Sequence, residues 1–265
     1  MYQVNYTRPK SLSEAEALLA KADDPKLLAG GQTLIPTLKQ RLAMPSDLID
    51  IGSLKELAFI RAEGNAITIG AGTKHFDVAN SADVLKQLPS LAHLAAHIGD
   101  PAVRHMGTIA GSIANNDPAA DYPAACLALD AKIKTTKRLI DADAYFKGMF
   151  ETALEPGEII TEITFPHPDK AAYSKFPNPA SRYAMVGVFV AKGPAGIRVA
   201  VTGAGQNGVF RQTEMEQALA RNWSPASVAS IKVSPSGIIS DLHGTAEYRA
   251  HLITVMAKRA VEAAG

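Results

Sequence analysis

From Gly107 to Asp121 the chain reads Gly-Thr-Ile-Ala-Gly-Ser-Ile-Ala-Asn-Asn-Asp-Pro-Ala-Ala-Asp, with no side chain larger than isoleucine. A stretch so poor in large side chains cannot bury enough apolar surface to form a core of its own. Its backbone must lie against something else, and the recurring hydroxyl and amide groups suit a diphosphate or a ribityl chain. A packed loop between helices that holds no ligand fits the same residues. The segment lacks the Gly-Lys-Ser/Thr ending of a nucleoside-triphosphate loop, so triphosphate hydrolysis is not indicated.

A second segment has a related character. Lys26 to Ala29 reads as a short strand that runs into Gly30-Gly31, and Thr33 to Leu42 reads as a helix with Pro36 in its first turn. Glycines permit positive φ and close backbone approach, and successive N–H groups at such a turn can form an anion-binding nest. A plain strand-to-helix turn would look the same. Neither segment carries the three-glycine dinucleotide fingerprint. Together they point to an extended, phosphate-bearing cofactor held outside a Rossmann fold.

The rest of the pattern places these segments. Ser11 stands three positions before Glu14, a capping-box spacing, and Leu12, Ala15, Leu18 and Leu19 follow on one helical face. Leu48 to Ile51 reads as a buried strand, so the first fifty residues predict a small α/β unit. Ile67 and Ile69 alternate as in a strand, and helices are predicted near Phe76 to Ala79, over Leu91 to Ile98, and over Tyr122 to Leu129 with Asp121 as N-cap. Pro166 to Asp169 interrupts any regular element. Beyond it, Met185 to Ala191 and Ile197 to Thr202 read as strands around a Gly193–Gly196 turn. Thr213 to Ala220, Ser224 to Ile231 and Thr245 to Ala264 read as helices.

Composition excludes several classes. The 27 basic and 26 acidic residues leave a net charge of +1, which gives no footprint for nucleic acid or an anionic membrane. No apolar run of about 18 residues suggests a transmembrane segment, and the polar start lacks a signal peptide's apolar core, so a cytoplasmic protein is expected. The one cysteine, Cys126, can form no internal disulfide and cannot supply an iron–sulfur cluster. It sits in an apolar helix and reads as a core thiol. His93, His97 and His105 are spaced like possible zinc ligands, but no acidic partner stands at matching spacing. No Gly-x-Ser-x-Gly elbow marks a hydrolase.

Ala29-Gly30-Gly31-Gln32-Thr33 and Thr108-Ile109-Ala110-Gly111-Ser112 together resemble the two FAD-contacting loops of molybdenum-hydroxylase flavoproteins. The phrases Leu34-Ile35-Pro36, Asp100-Pro101-Ala102-Val103-Arg104, Asn116-Asp117-Pro118-Ala119-Ala120-Asp121 and Glu155-Pro156-Gly157-Glu158-Ile159-Ile160 carry the same resemblance across nearly the whole chain. It is nearest to the medium subunits of aerobic carbon monoxide dehydrogenases and extends to the FAD domain of xanthine dehydrogenases. Gln32-Thr33 replaces a frequent His-Ser, and Ala110 a frequent glycine.

The resemblance implies an α+β fold. Residues 1–168 would form an FAD-binding region of the vanillyl-alcohol-oxidase-like (PCMH) type, with subdomains of about 1–54 and 55–168. Residues 169–265 would form a second domain with a three-stranded antiparallel sheet and helices. It implies that Ala29, Gly30, Gly31, Gln32, Thr33 and Leu34 contact the FAD diphosphate region, and that Thr108, Ile109, Gly111 and Ser112 form a second phosphate-side loop. Asn115 and Asp121 would hold polar parts of the cofactor. Ile160 would pack on the flavin or adenine, Lys175 would lie near the isoalloxazine, and Tyr183 beside the flavin. No metal is implied on this chain. Molybdopterin and two [2Fe-2S] clusters would sit on a large and a small partner subunit, in a dimer of heterotrimers. The hydroxylation would occur there, and this chain would pass electrons through FAD to an outside acceptor. A self-contained flavin oxidase or reductase, and an interaction subunit without cofactor, are the alternatives.

Overall fold

The computed structural model describes residues 1–265. The first unit is a parallel three-stranded sheet. Strand β1 (Asn5–Thr7) leads through helix α1 (Leu12–Lys21) to β2 (Pro25–Leu28), then through α2 (Leu34–Lys39) to β3 (Asp47–Asp50), with spatial order β1-β3-β2. Ser11 caps α1 by accepting the Glu14 N–H at 3.2 Å, while the Glu14 carboxylate accepts the Lys10 N–H at 2.7 Å. Both ends of the capping-box spacing are used, with the reciprocal bond one residue earlier than the usual box. Helix α2 stops at Lys39, short of the Leu42 expected, because Arg41 turns to φ +60°.

The second unit carries an antiparallel sheet. Strands β4 (Ile60–Glu63) and β5 (Ala66–Gly70) form a hairpin. Helices α3 (His75–Asn80), α4 (Ala82–Gln87), α5 (Pro89–Ala96), α6 (Pro101–Arg104), α7 (Ile109–Asn115) and α8 (Tyr122–Ala128) follow. The chain then returns as β6 (Lys132–Thr135), β7 (Leu139–Asp141), a short helix α9 (Ala142–Tyr145), the two-stranded hairpin β8 (Phe146–Gly148) and β9 (Glu151–Thr152), and β10 (Ile160–Pro166). Sheet order is β4-β5-β10-β6-β7, so the last strand inserts at the centre and its Ile163 and Phe165 are fully buried.

The third unit begins at β11 (Lys170–Pro177) and continues with β12 (Ala184–Gly193), β13 (Gly196–Thr202) and β14 (Phe210–Arg211) in one antiparallel sheet. This sheet has four strands rather than the three expected. The fourth is two residues long and pairs only with Ala200 and Val201, too short to leave a periodic signal. Helices α10 (Thr213–Arg221), α11 (Pro225–Ala229) and α12 (Ala246–Ala264) cover one face. Alternation along β12 is read on both sides. Val186, Val188 and Val190 join the helices in one core, while Phe189 and Ala191 join the core of the first two units. Both faces of the strand are therefore dry, which accounts for its nearly continuous apolar sequence.

Candidate functional site

The two glycine segments meet through Gly30. A Cβ there would overlap the Met106 carbonyl oxygen and lie 2.7 Å from the Gly107 Cα, so only glycine lets the β2–α2 turn press against the backbone that leads into α7. Gly31 takes φ +70°, the left-handed region. Beyond the strand end, the N–H groups of Gly30, Gly31, Gln32, Thr33 and Leu34 donate to no acceptor in the protein. The Gln32 side-chain amide closes the turn by donating to the Gly30 carbonyl at 3.2 Å. Five successive free donors beside a cavity are the material of an anion nest.

That cavity has a volume of about 590 Å³ and reaches all three units. Ala29, Gly30, Gly31, Gln32, Thr33 and Leu34 form one wall, and Thr108, Gly111, Ser112 and Asn115 another. The second segment is a helix, not the loop expected. Thr108 is the N-cap of α7 and its hydroxyl accepts the Gly111 N–H at 3.2 Å. Spacings of three and four then bring Thr108, Gly111, Ser112 and Asn115 onto one face. Ile109 takes the opposite face, fully buried in the core and away from the cavity. The segment's small side chains thus build the cavity face, and its two isoleucines, Ile109 and Ile113, anchor the helix from behind.

Asp121 also lines the cavity, but it does not cap α8. Its backbone is already helical (φ −79°, ψ −46°) and its side chain makes no cap bond. The carboxylate turns instead to the third unit. It accepts the Tyr173 hydroxyl at 2.5 Å and pairs with Lys175 Nζ at 2.9 Å, both partners coming from β11. Burial pushes the Asp121 carboxyl up, and Lys175 and Tyr173 pull against it. Lys175 is thereby drawn off the cavity wall: its side chain is only 5% exposed, and Nζ also donates to the His97 carbonyl at 3.0 Å. Ile160, 5% exposed at the start of β10, and Tyr183, on the β11–β12 loop, both reach the cavity. Of the fifteen expected residues, then, Ile109 and Lys175 stand behind the wall and the others form it.

Among the wall residues missed from sequence, three stand out: His75, Glu158 and Phe150. His75 is 4% exposed, its Nδ1 has no partner, and burial, with Arg104 next, pushes it down to about 4, so it is neutral near pH 7. Glu158 accepts four hydrogen bonds, from Thr135, twice from Arg138 and from the Glu155 N–H, and this fixes the turn that delivers Ile159 and Ile160 to the wall. Phe150 sits at the β8–β9 turn. Only Glu158 had a sequence cue, its place in the Glu155–Ile160 phrase. The three spaced histidines do not converge: His93 and His97 lie side by side, while His105 stacks on Phe76 at 4.1 Å. Cys126 is fully buried, and burial pushes its thiol well up.

Fold and cavity together describe a protein built to hold an extended, phosphate-bearing cofactor between its units. Residues 2–168 match the family described as the FAD binding domain in molybdopterin dehydrogenase, and the chain belongs to that family. It is 36% identical over 275 residues to the carbon monoxide dehydrogenase medium chain of Hydrogenophaga pseudoflava, covering 98% of this chain and 96% of that one. It is 33% identical over 280 residues to the nicotine 6-hydroxylase medium subunit of Paenarthrobacter nicotinovorans, covering 99% and 97%. The solved carbon monoxide dehydrogenase from Hydrogenophaga pseudoflava superposes with a TM-score of 0.90 over 99% of this chain and 97% of that one, at 36% identity. The chain is an oxidoreductase subunit with an FAD-binding domain. The wall fits such a cofactor: free N–H donors suit a diphosphate, and the missing side chain at Gly111, where a Cβ would meet only the Thr108 hydroxyl, leaves room for it. No helix is long and apolar enough to cross a membrane.

Proposed function

We propose that this chain is the flavoprotein subunit of a molybdenum-containing hydroxylase or dehydrogenase, holding one FAD non-covalently in the 590 Å³ cavity. The supporting observation is that the free N–H row of Gly30 to Leu34 and the polar face of α7 form two walls of one cavity. Ala29 to Leu34 hold the diphosphate region. Thr108, Ser112 and Asn115 bind polar groups along the chain of the cofactor, and Gly111 leaves them space. Ile109 supports this helix from the core. Ile160 packs on a flat ring, and Tyr183 lies beside the flavin. Asp121 presents polar contact at the wall, and Lys175 acts through it.

When bound, FAD couples single-electron to two-electron transfer. The chain's own share is to orient the cofactor, exclude water and set the local field. The electrons would come from two [2Fe-2S] clusters on a small subunit, supplied by molybdopterin chemistry on a large one, and leave to an external acceptor. A dimer of heterotrimers and a cytoplasmic setting belong to the same proposal. So does the division into residues 1–168, of vanillyl-alcohol-oxidase-like (PCMH) architecture with subdomains near 1–54 and 55–168, and residues 169–265. Medium subunits at similar identity carry the names of enzymes for carbon monoxide and for nicotine, which supports placing substrate recognition on the large subunit.

Co-expression with the two partner subunits, followed by size exclusion and acid precipitation, tests this. A three-subunit complex that releases FAD into the supernatant is expected. Flavin that stays with the precipitate refutes non-covalent binding, and a complex without flavin refutes the proposal. Oxidation of a small substrate by the chain alone at an ordinary enzymatic rate would favour the self-contained oxidase.

A further inference from the structure

Phe150 is an aromatic residue held at the cavity by a backbone that L side chains avoid. It occupies the tip of the β8–β9 hairpin at φ +58° and is 57% exposed. A left-handed phenylalanine and a ring left in water are both unfavourable. Such strain persists only where the surroundings over-determine it, and it gathers where a function uses it.

The surroundings here do over-determine it. Asn116, itself left-handed at φ +45° and 1% exposed, donates from Nδ2 to the carbonyls of Gly148 and Glu151, 2.8 Å each, on either side of the tip. Its own carbonyl accepts the Phe150 N–H at 3.0 Å. From the third unit, the backbone at Gly208 closes on the hairpin: a Cβ there would sit 3.6 Å from the Gly148 carbonyl oxygen. The tip is therefore held by three hydrogen bonds to Asn116 at the end of α7, which carries the polar wall, and Gly208 of the third unit packs beside it. Among the cavity-lining residues the only phenyl or phenol rings are Phe150 and Tyr183.

We propose that Phe150 stacks on a flat heteroaromatic ring of the bound cofactor, and that Asn116 is the positioning residue that aims it. The inference rests on the FAD reading above. Stacking repays both the exposed ring and the strained backbone, since a ring–aromatic contact is sequence-tolerant and strong.

The test uses the full chain freed of flavin and titrated with FAD, FMN and ADP, with flavin emission and thermal melting recorded. Phe150→Ala and Phe150→Asn should weaken FAD about tenfold, the size of one lost ring contact. Phe150→Tyr should bind as the wild type does. Because asparagine tolerates the left-handed backbone, Phe150→Asn should melt no lower than wild type while losing affinity. Asn116→Ala should weaken FAD as well, and should not add to Phe150→Ala. A parallel loss for FMN identifies the isoalloxazine as the stacked ring, and a parallel loss for ADP the adenine. Wild-type FAD affinity in Phe150→Asn overturns the inference and leaves the FAD reading intact, even if assembly with partner subunits suffers. So does an affinity loss confined to variants that melt lower. If the wild-type chain alone binds no FAD, the same titrations are run on the three-subunit complex; a complex that binds none overturns the FAD reading itself, and the inference with it.

Discussion

Replacing Glu158 by glutamine tests how the cavity floor is held. The Glu158 side chain is fully buried and its two oxygens accept from Thr135 Oγ1 at 2.6 Å, Arg138 Nε at 3.0 Å, Arg138 Nη2 at 3.1 Å and the Glu155 N–H at 2.7 Å. The Arg138 bonds are the largest influence and, with Thr135 and the Glu155 N–H, outweigh burial, so they hold the carboxyl down from 4.5 to about 2. At about 1.4 kcal/mol for each tenfold change in proton affinity, that drop corresponds to roughly 3 kcal/mol of folding stability. The folded-state value lies below the unfolded one. The stabilisation is therefore complete above about pH 4.5 and is lost as pH falls towards about 2. An amide keeps the shape but presents an NH₂ group to donors, so Glu158→Gln should cost about 3 kcal/mol near pH 7. Urea unfolding of both proteins from pH 7 down to pH 2 measures it, and subtracting one curve from the other cancels the remaining titrating groups. The gap should be near its full size at pH 6 and close to zero at pH 2. A gap that does not change with pH would show that the charge of Glu158 is not what fixes the turn.

Two further substitutions probe the walls. Gly111→Val should abolish most flavin binding with little change in the circular dichroism spectrum, because a Cβ at Gly111 sits 2.8 Å from the Thr108 hydroxyl, which must shift, and meets nothing else within 4 Å; full flavin occupancy would place the cofactor elsewhere. Lys175→Met should lower urea stability by about 3 kcal/mol, since it leaves the 4%-exposed Asp121 carboxylate with Tyr173 as its remaining side-chain donor. A loss under about 1 kcal/mol would mean that Asp121 takes up a proton at little cost and the pair does not tie β11 to the cavity wall.

Much of the architecture follows from local pattern. Ser11 announces a helix it does cap, the last helix read from Thr245 is there with Thr245 as its cap, and the alternation at Ile67 and Ile69 marks a strand with both residues buried. These features depend on residues a turn or a strand apart, so a short window holds all their physics. The two glycine segments were legible for the same reason, as turns and helix ends that leave backbone groups free.

What local pattern could not decide was which distant groups would answer each other. Asp121 looks like an N-cap to its neighbours, but Tyr173 and Lys175, more than fifty residues later, offer the carboxylate a better partnership inside the dry interface. Lys175, expected at the cofactor, is turned inward by the same pair. Gly107 to Asn115 looks unable to sustain structure, yet the core supplies partners for Ile109 and Ile113, and a helix becomes stable. Phe150 is an ordinary hairpin residue until Asn116, more than thirty residues earlier, bonds to the backbone on both sides of it. Sequence specifies the bonds available nearby; only the packed chain sets the dielectric, the strain and the long-range partners that decide which of them form.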